Sequence, residues 1–262
     1  GLDQVLELLA DRHADEIVSA GEALAVLDED PATDEVQFAH QLLQEYFAAR
    51  ELARHPEPGL AAVPWRAAQQ TPTLEELMDD LAPTESLPAL PRSGWEETCL
   101  LASEMVADPA AFVRDLMPGN LALAGRVAAV HEVRERLAAD RLDEIRRALV
   151  ERTRDREADL RDRVACGHAL GELGDPRFDR CRGPYGEYLS PPRVTIPGGA
   201  YTIGDDEPIR WRVPKTDFCG VDTDHIPRHR VVLRAFEIGR FPVTNAEWAH
   251  FMVAGGYADD RW

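Results

Sequence analysis

The sequence predicts a multidomain chain, a long all-α region followed by a smaller α+β unit that it only partly contains. Three observations carry this expectation. Apolar residues recur at helical spacing as far as Leu173. A Gly/Pro-rich stretch at 178–193 then interrupts the pattern. Beyond Val194 the apolar positions alternate in short runs between turn residues, the period of half-buried strands. At 262 residues and 44% hydrophobic composition, the chain has enough apolar material for one large or two modest cores.

The elements follow in order. Leu2, Val5, Leu6, Leu9, Ile17, Leu24 and Leu27 mark a helical region over 2–27, and Asp28–Glu35 is a polar turn. Val36 and Phe38 alternate as a short hairpin strand. An amphipathic helix from His40 to Ala53 has Leu42, Leu43, Tyr46, Phe47 and Leu52 on its apolar side. Seven prolines between 55 and 92 make that segment an irregular connector, with one short helix near Leu74–Leu81. A second helical block spans 94–173, broken at Asp108-Pro109 and Pro118-Gly119-Asn120. Within it, 134–162 is laced with charge at helical spacing, the mark of a solvated face. Gly174-Asp175-Pro176 ends the last helix. Past Val194, strands lead to one helix at 244–254, opened by the capping box Thr244-Asn-Ala-Glu247.

Charge excludes one class of function. The net charge is −19, and residues 1–100 hold 21 acidic against 5 basic side chains, a balance of −16. Such a front half repels phosphate backbones, so direct nucleic-acid binding is not expected. No apolar run approaches the ~20 residues of a membrane span, and no leader pattern opens the chain. The four cysteines (Cys99, Cys166, Cys181, Cys219) form no CxxC pair, which points to reduced thiols and a cytoplasmic setting.

The segment Val36-Gln-Phe-Ala-His-Gln-Leu-Leu-Gln-Glu-Tyr-Phe-Ala-Ala49 resembles the end of the winged-helix region of NACHT-type (STAND) signalling ATPases. The resemblance implies that His40 matches the histidine that reaches the ADP phosphates in the closed state, making it the one candidate nucleotide-sensing residue. An imidazole N–H near a helix start can donate to an anionic oxygen. The alternative is that His40 caps or packs its own helix. No Gly-x-x-x-x-Gly-Lys-Ser/Thr phosphate loop is present, so nucleotide hydrolysis would belong to a core preceding Gly1. The block Trp95–Arg177, ending in Ala169-Leu-Gly-Glu-Leu-Gly-Asp-Pro-Arg177, is similar to HEAT-like helix pairs, which stack into surfaces for protein partners; a plain bundle is the competing reading.

The C-terminal stretch resembles the formylglycine-generating enzyme (sulfatase-modifying factor) family, whose fold is a variant of the C-type lectin fold. The matching residues are Ile196-Pro-Gly-Gly-Ala-Tyr-Thr-Ile-Gly204, Asp224-His-Ile-Pro-Arg-His-Arg-Val231, Phe236-Glu-Ile-Gly-Arg-Phe-Pro-Val-Thr-Asn-Ala-Glu-Trp248, and Phe251 with Gly255-Gly-Tyr257. Val231, Leu233 and Phe236 are expected to face a core. The family usually has Met-Gly where this chain has Ile203-Gly204, and 205–221 is an insert. The family's copper-binding cysteine pair lies beyond Trp262, and Cys219 is not one of it. Cys219, Asp222, Asp224, His225 and His229 raise the question of a metal cluster, but solvated loop residues are the default. No catalytic and no metal-binding residue is assigned.

The expected organisation is therefore 1–54 as the end of a winged-helix region, 55–93 as a connector, 94–177 as HEAT-like helices, 178–193 as a linker, and 194–262 as the opening of a formylglycine-generating-enzyme-like domain. The expected function is that of a piece of a bacterial-type signalling ATPase whose last domain recognises a ligand or acts as effector. One alternative is a copper-dependent formylglycine-generating oxidase, and another is a helical interaction scaffold. No cofactor is expected within the chain. ATP or ADP with Mg, and copper or calcium, are expected for the full-length protein. Partners are a protein or ligand through the helical and lectin-like regions and, once activated, further copies of the chain.

Overall fold

The computed structural model describes residues 14–30, 35–81, 85–212 and 219–258. The apolar positions at Leu2–Leu9, part of the acidic insert, and Trp262 lie outside the described residues. The chain divides into two compact units, one built from 1–64 and 91–145, the other from 65–90 and 146–262. The block read as one helical region, 94–177, is thus split near Ile145. The connector explains the division. Trp65 accepts the Asp159 N–H (2.8 Å) through its carbonyl, and the Ala67 N–H bonds to Glu157 (2.9 Å), so the segment after Pro64 is hydrogen-bonded to the later helices.

The first unit begins with α1 (Ala14–Ala23) and a hairpin of β1 (Leu27–Asp30) and β2 (Glu35–Phe38), registered from Leu27↔Phe38 to Asp30↔Glu35. The segment read as a polar turn therefore begins with strand residues Asp28–Asp30. Helix α2 (Gln41–Arg54) buries Ala49 and Leu52 and packs against α4 (Glu96–Met105). Leu42, Tyr46 and Phe47, expected on the buried side, are exposed. Helix α3 (Leu74–Asp80) belongs to the second unit.

The predicted breaks between helices are real, and caps enforce them. Asp108 accepts the Ala111 N–H (3.0 Å) with Pro109 in the first turn of α5 (Pro109–Leu116), and Asn120 accepts the Leu123 N–H (3.0 Å) to start α6 (Leu121–Ala129). Asn120 also donates to the Ala61 carbonyl (3.0 Å), so one side chain both starts a helix and anchors the connector. With α7 (His131–Arg134), these helices enclose Cys99, Phe112, Val113, Leu116, Leu123, Val127 and Val133, all 2% exposed or less. Each such aliphatic or aromatic side chain contributes roughly 1.5–3 kcal/mol of burial.

Helix α8 (Ala139–Arg154) runs on into the second unit, where Leu149 is buried, as are Cys166, Ala169, Leu170 and Leu173 of α9 (Leu160–Leu173). The Arg152 guanidinium lies 3.5 Å over the Trp65 ring and bonds to Asp162 (2.8 Å). Charge in this stretch thus includes buried pairs as well as solvated ones. Asp159 is fully buried beside Arg161, with Nε–Oδ1 at 2.9 Å and Nη2–Oδ2 at 3.0 Å.

The stretch read as a linker, 178–193, is instead a hairpin of β3 (Asp179–Gly183) and β4 (Gly186–Ser190). Its Gly and Pro residues punctuate a two-residue loop, Pro184-Tyr185, with Gly186 at φ 120° where a side chain would be strained. Three further antiparallel pairs follow: β5 (Arg193–Ile196) with β10 (Phe236–Gly239), β6 (Gly199–Ile203) with β9 (His229–Leu233), and β7 (Ile209–Arg212) with β8 (Cys219–Asp222). Helix α10 (Asn245–Val253) packs against β4. Leu233 and Phe236 do not face a core as expected; they are 39% and 43% exposed, and Val231 is half-buried. Among the described residues each sheet has two strands, and a two-stranded ribbon cannot bury a face by itself. No helix among the described residues is long and apolar enough to cross a membrane.

Candidate functional site

His40 stands where β2 hands the chain to α2. It is extended (φ −147°, ψ 135°), and its Nδ1 accepts the Leu42 N–H at 3.1 Å. The capping alternative raised by the sequence is therefore present. It does not exhaust the ring, because an accepting Nδ1 puts the proton of the neutral imidazole on Nε2. His40 is exposed at this helix start. Phe38 stacks on Phe47 (5.7 Å between centroids) and holds strand against helix beneath it.

The acidic loops around β7–β9 gather Asp222, Asp224, His225 and His229, the residues with which the sequence raises the question of a metal cluster. Asp222 accepts the Asp224 N–H (2.9 Å), His225 Nε2 pairs with the Glu207 carbonyl (3.0 Å), and His229 Nδ1 with the Pro227 carbonyl (2.8 Å). His225 Nδ1 lies 4.0 Å from Asp222 Oδ1. The imidazoles are thus turned to backbone carbonyls. Arg228 pairs with Asp205 (3.3 Å), whose carboxylate sits below its usual range chiefly because it accepts the Asp206 N–H. No three His, Cys, Asp or Glu among the described residues come together to hold a metal ion. The copper that the family resemblance implies therefore has no ligand set among them.

A cleft of about 270 Å³ opens between the β3–β4 turn and α10. Tyr185 and Tyr188 line it from the hairpin, with Glu187 between them in sequence; Glu247, His250 and Phe251 line it from the helix. The helix is set by its predicted capping box. Thr244 Oγ accepts the Glu247 N–H (3.2 Å), and Glu247 accepts from the Thr244 N–H (2.8 Å) and hydroxyl (2.9 Å). Phe251 packs in an aromatic group with Trp248 (4.9 Å) and Tyr257 (5.5 Å). The close approach of Gly256 also fixes it, since a Cβ there would overlap the Phe251 ring. Sequence reasoning missed the two tyrosines because it took their segment as linker. The Gly-Pro-Tyr-Gly turn between alternating residues was the available signal.

Residues 186–262 match the family model of the sulfatase-modifying factor enzyme 1-like domain. Three relatives match part of this chain. Hercynine oxygenase of Mycolicibacterium smegmatis is 41% identical over 69 residues, covering 26% of this chain and 14% of that protein. Hercynine oxygenase of Mycobacterium tuberculosis is 50% identical over 44 residues, 17% of this chain and 10% of that protein. The Mycolicibacterium thermoresistibile enzyme of the same name is 58% identical over 36 residues, 14% of this chain and 8% of that protein. Each match spans 14% or less of the relative's length. No solved structure matches. Residues 186–262 are thus the part of this chain that the sulfatase-modifying factor enzyme 1-like family describes, with hercynine oxygenases among its relatives.

Proposed function

We propose that residues 186–262 contribute to a domain that oxidises a small substrate with molecular oxygen, in the manner the name hercynine oxygenase states for its relatives. The observation that carries this reading is the 41% identity over 69 residues to such an enzyme. The metal linked to that chemistry, copper in the formylglycine-generating enzymes, would be held by residues other than those described. The part played by this chain is to build the opening hairpins and helix α10 against which the rest of such a domain folds. The test supplies hercynine and oxygen to a protein that carries this segment within its whole domain, with mass spectrometry of the products. A sulfatase-type cysteine peptide serves as second substrate. Oxygen-dependent loss of hercynine supports the reading; turnover of the peptide alone assigns formylglycine formation instead. Turnover of neither overturns the oxidase reading.

A second reading is favoured by the geometry at His40. In it, the first 54 residues end the winged-helix part of a NACHT-type switch that holds ADP with Mg, and the C-terminal domain recognises a ligand. The helices between provide a surface for a protein partner, and activation assembles several copies. With Nδ1 accepting the Leu42 N–H on an exposed residue, the Nε2–H of the neutral His40 ring is suited to donate to a phosphate oxygen. Loss of such a bond to a charged group costs about 1.5–3 kcal/mol, a shift of roughly ten- to a hundred-fold. In a protein carrying the ATPase core, His40→Ala would speed ADP release by that factor. An unchanged ADP off-rate, with only a small stability loss, retires the sensor role.

A further inference from the structure

We propose that the exposed aromatic face shared by α2 and β2 is a docking surface for a basic amphipathic helix of a protein partner. The inference rests on neither reading of function. Leu42 and Tyr46, one turn apart on α2, are 62% and 42% exposed, and Phe47 beside them is 39% exposed. Ring contacts make the face continuous. Tyr46 meets Phe47 edge-on (5.5 Å between centroids), Phe47 stacks on Phe38 of β2 (5.7 Å), and the Arg50 guanidinium lies over the Tyr46 ring (5.9 Å). Single exposed apolar residues are ordinary, but a joined group of this kind marks a contact surface. Tyrosine and arginine are also the residue types that concentrate binding energy at interfaces.

Charge and backbone chemistry specify the occupant. From Ala14 to Ala39 the sequence carries eight acidic residues and no lysine, arginine or histidine. This stretch contains α1 and the β1–β2 hairpin, and β2 packs against α2. Its Glu16, Glu22, Asp28 and Glu35 are exposed. On α2 itself, Arg50 lies on the Tyr46 ring and Arg54 pairs with Glu51 (3.6 Å). A rim of that sign repels nucleic acid and anionic lipid and attracts lysine and arginine. It also disfavours a second copy of the chain, because a two-fold contact through this face would set acidic hairpin against acidic hairpin. Helix α2 closes its own backbone hydrogen bonds and offers no ladder edge. A segment lying on it must close its own as well, which a helix does. From Leu42 to Arg50 the helix rises about 12 Å, room for roughly two turns of apolar anchors on the partner.

The probe is a fluorescently labelled, helix-forming peptide of leucine and lysine, about five turns long, with its leucines on one face. Its anisotropy is followed as the 262-residue chain is added. The lysine peptide should bind at least about tenfold more tightly than the same peptide with glutamate for lysine, and added salt should narrow that margin. Tyr46→Ala should weaken the lysine peptide about tenfold, the effect of removing an interface anchor. Val232→Ala, at a strand position 82% exposed in the other unit, should leave the affinity unchanged. Far-ultraviolet circular dichroism checks that helix content is kept; if Tyr46→Ala lowers it, Leu42→Ala at the more exposed end of the face takes its place, with a loss of several-fold expected. An absence of binding overturns the proposal, as does equal binding of the lysine and glutamate peptides. Binding that the α2 variants leave unaltered, or that Val232→Ala weakens as much, overturns it too, because the peptide would then sit elsewhere. A dimer of the chain alone in sedimentation, dissolved by Tyr46→Ala, would assign the face to a second copy instead.

Discussion

Replacing Arg161 with methionine isolates the most deeply buried ion pair described. The guanidinium and the Asp159 carboxylate are 6% and 0% exposed, so the pair falls outside the regime in which an ion pair contributes about 0–1 kcal/mol. Arg161→Met keeps the length and apolar contact of the side chain but leaves a carboxylate in the interior. That loss is typically about 3–5 kcal/mol. The Arg161 backbone N–H still bonds to Asp159 Oδ1 (2.8 Å) in the variant, which places the expected value near the lower end, about 3 kcal/mol. With a urea dependence of ~1–3 kcal/mol per molar, the midpoint of helix loss followed by circular dichroism should fall by roughly 1–3 M. Arg193→Met, at a pair with Glu237 that is more than half exposed, is the control and should move it by a few tenths of that.

The same variant reverses a pH dependence. Burial alone would raise the Asp159 carboxyl, but its bonds to Arg161 outweigh burial and hold it below the ordinary value. Its contribution to stability is therefore complete above the ordinary carboxylate range and is lost as pH falls through the lowered value. Without Arg161, burial dominates and the folded-state value lies above the unfolded one. Acidification should then stabilise the variant across that window. A midpoint shift no larger than that of Arg193→Met, or an unchanged acid dependence, would refute the view that this pair is withdrawn from water.

Two further outcomes can be checked directly. Gly204 has φ 82°, and a Cβ there would overlap the His225 carbonyl, so Gly204→Ala should cost more than about 1 kcal/mol by thermal melting; a neutral result would mean that the β6–β9 end rearranges freely. Burial pushes the Cys166 thiol up to about 12 and that of Cys99 to about 11, so in single-cysteine variants both should react with a thiol reagent far more slowly than the half-buried Cys181.

Much of the local structure was legible in the residues themselves. The caps at Asp108, Asn120 and Thr244 are short-range devices. A side-chain oxygen three residues from an amide needs no distant partner; Thr244 was read as a cap, and Asp108 and Asn120 cap helices at the breaks the sequence showed. The change of period after Leu173 and the helix at 245–253 were legible for the same reason. The family of residues 186–262 was also readable, because its motifs run contiguously along the strands.

What the sequence could not decide depends on contacts between distant positions. Nothing local says that the Trp65 carbonyl will take the Asp159 N–H, and that pairing is part of what divides the helical block near Ile145. Apolar spacing placed Tyr46 and Phe47 on a buried face and Leu233 and Phe236 against a core, yet burial requires a covering element that periodicity does not contain. A Gly/Pro-rich stretch reads equally as linker or as turn until its flanks are seen to pair, as Asp179–Gly183 and Gly186–Ser190 do. For His40, the sequence by itself determined the choice between cap and sensor as a question. The tertiary structure decided that Nδ1 of an exposed His40 caps the helix, because only geometry gives that nitrogen the Leu42 N–H as neighbour.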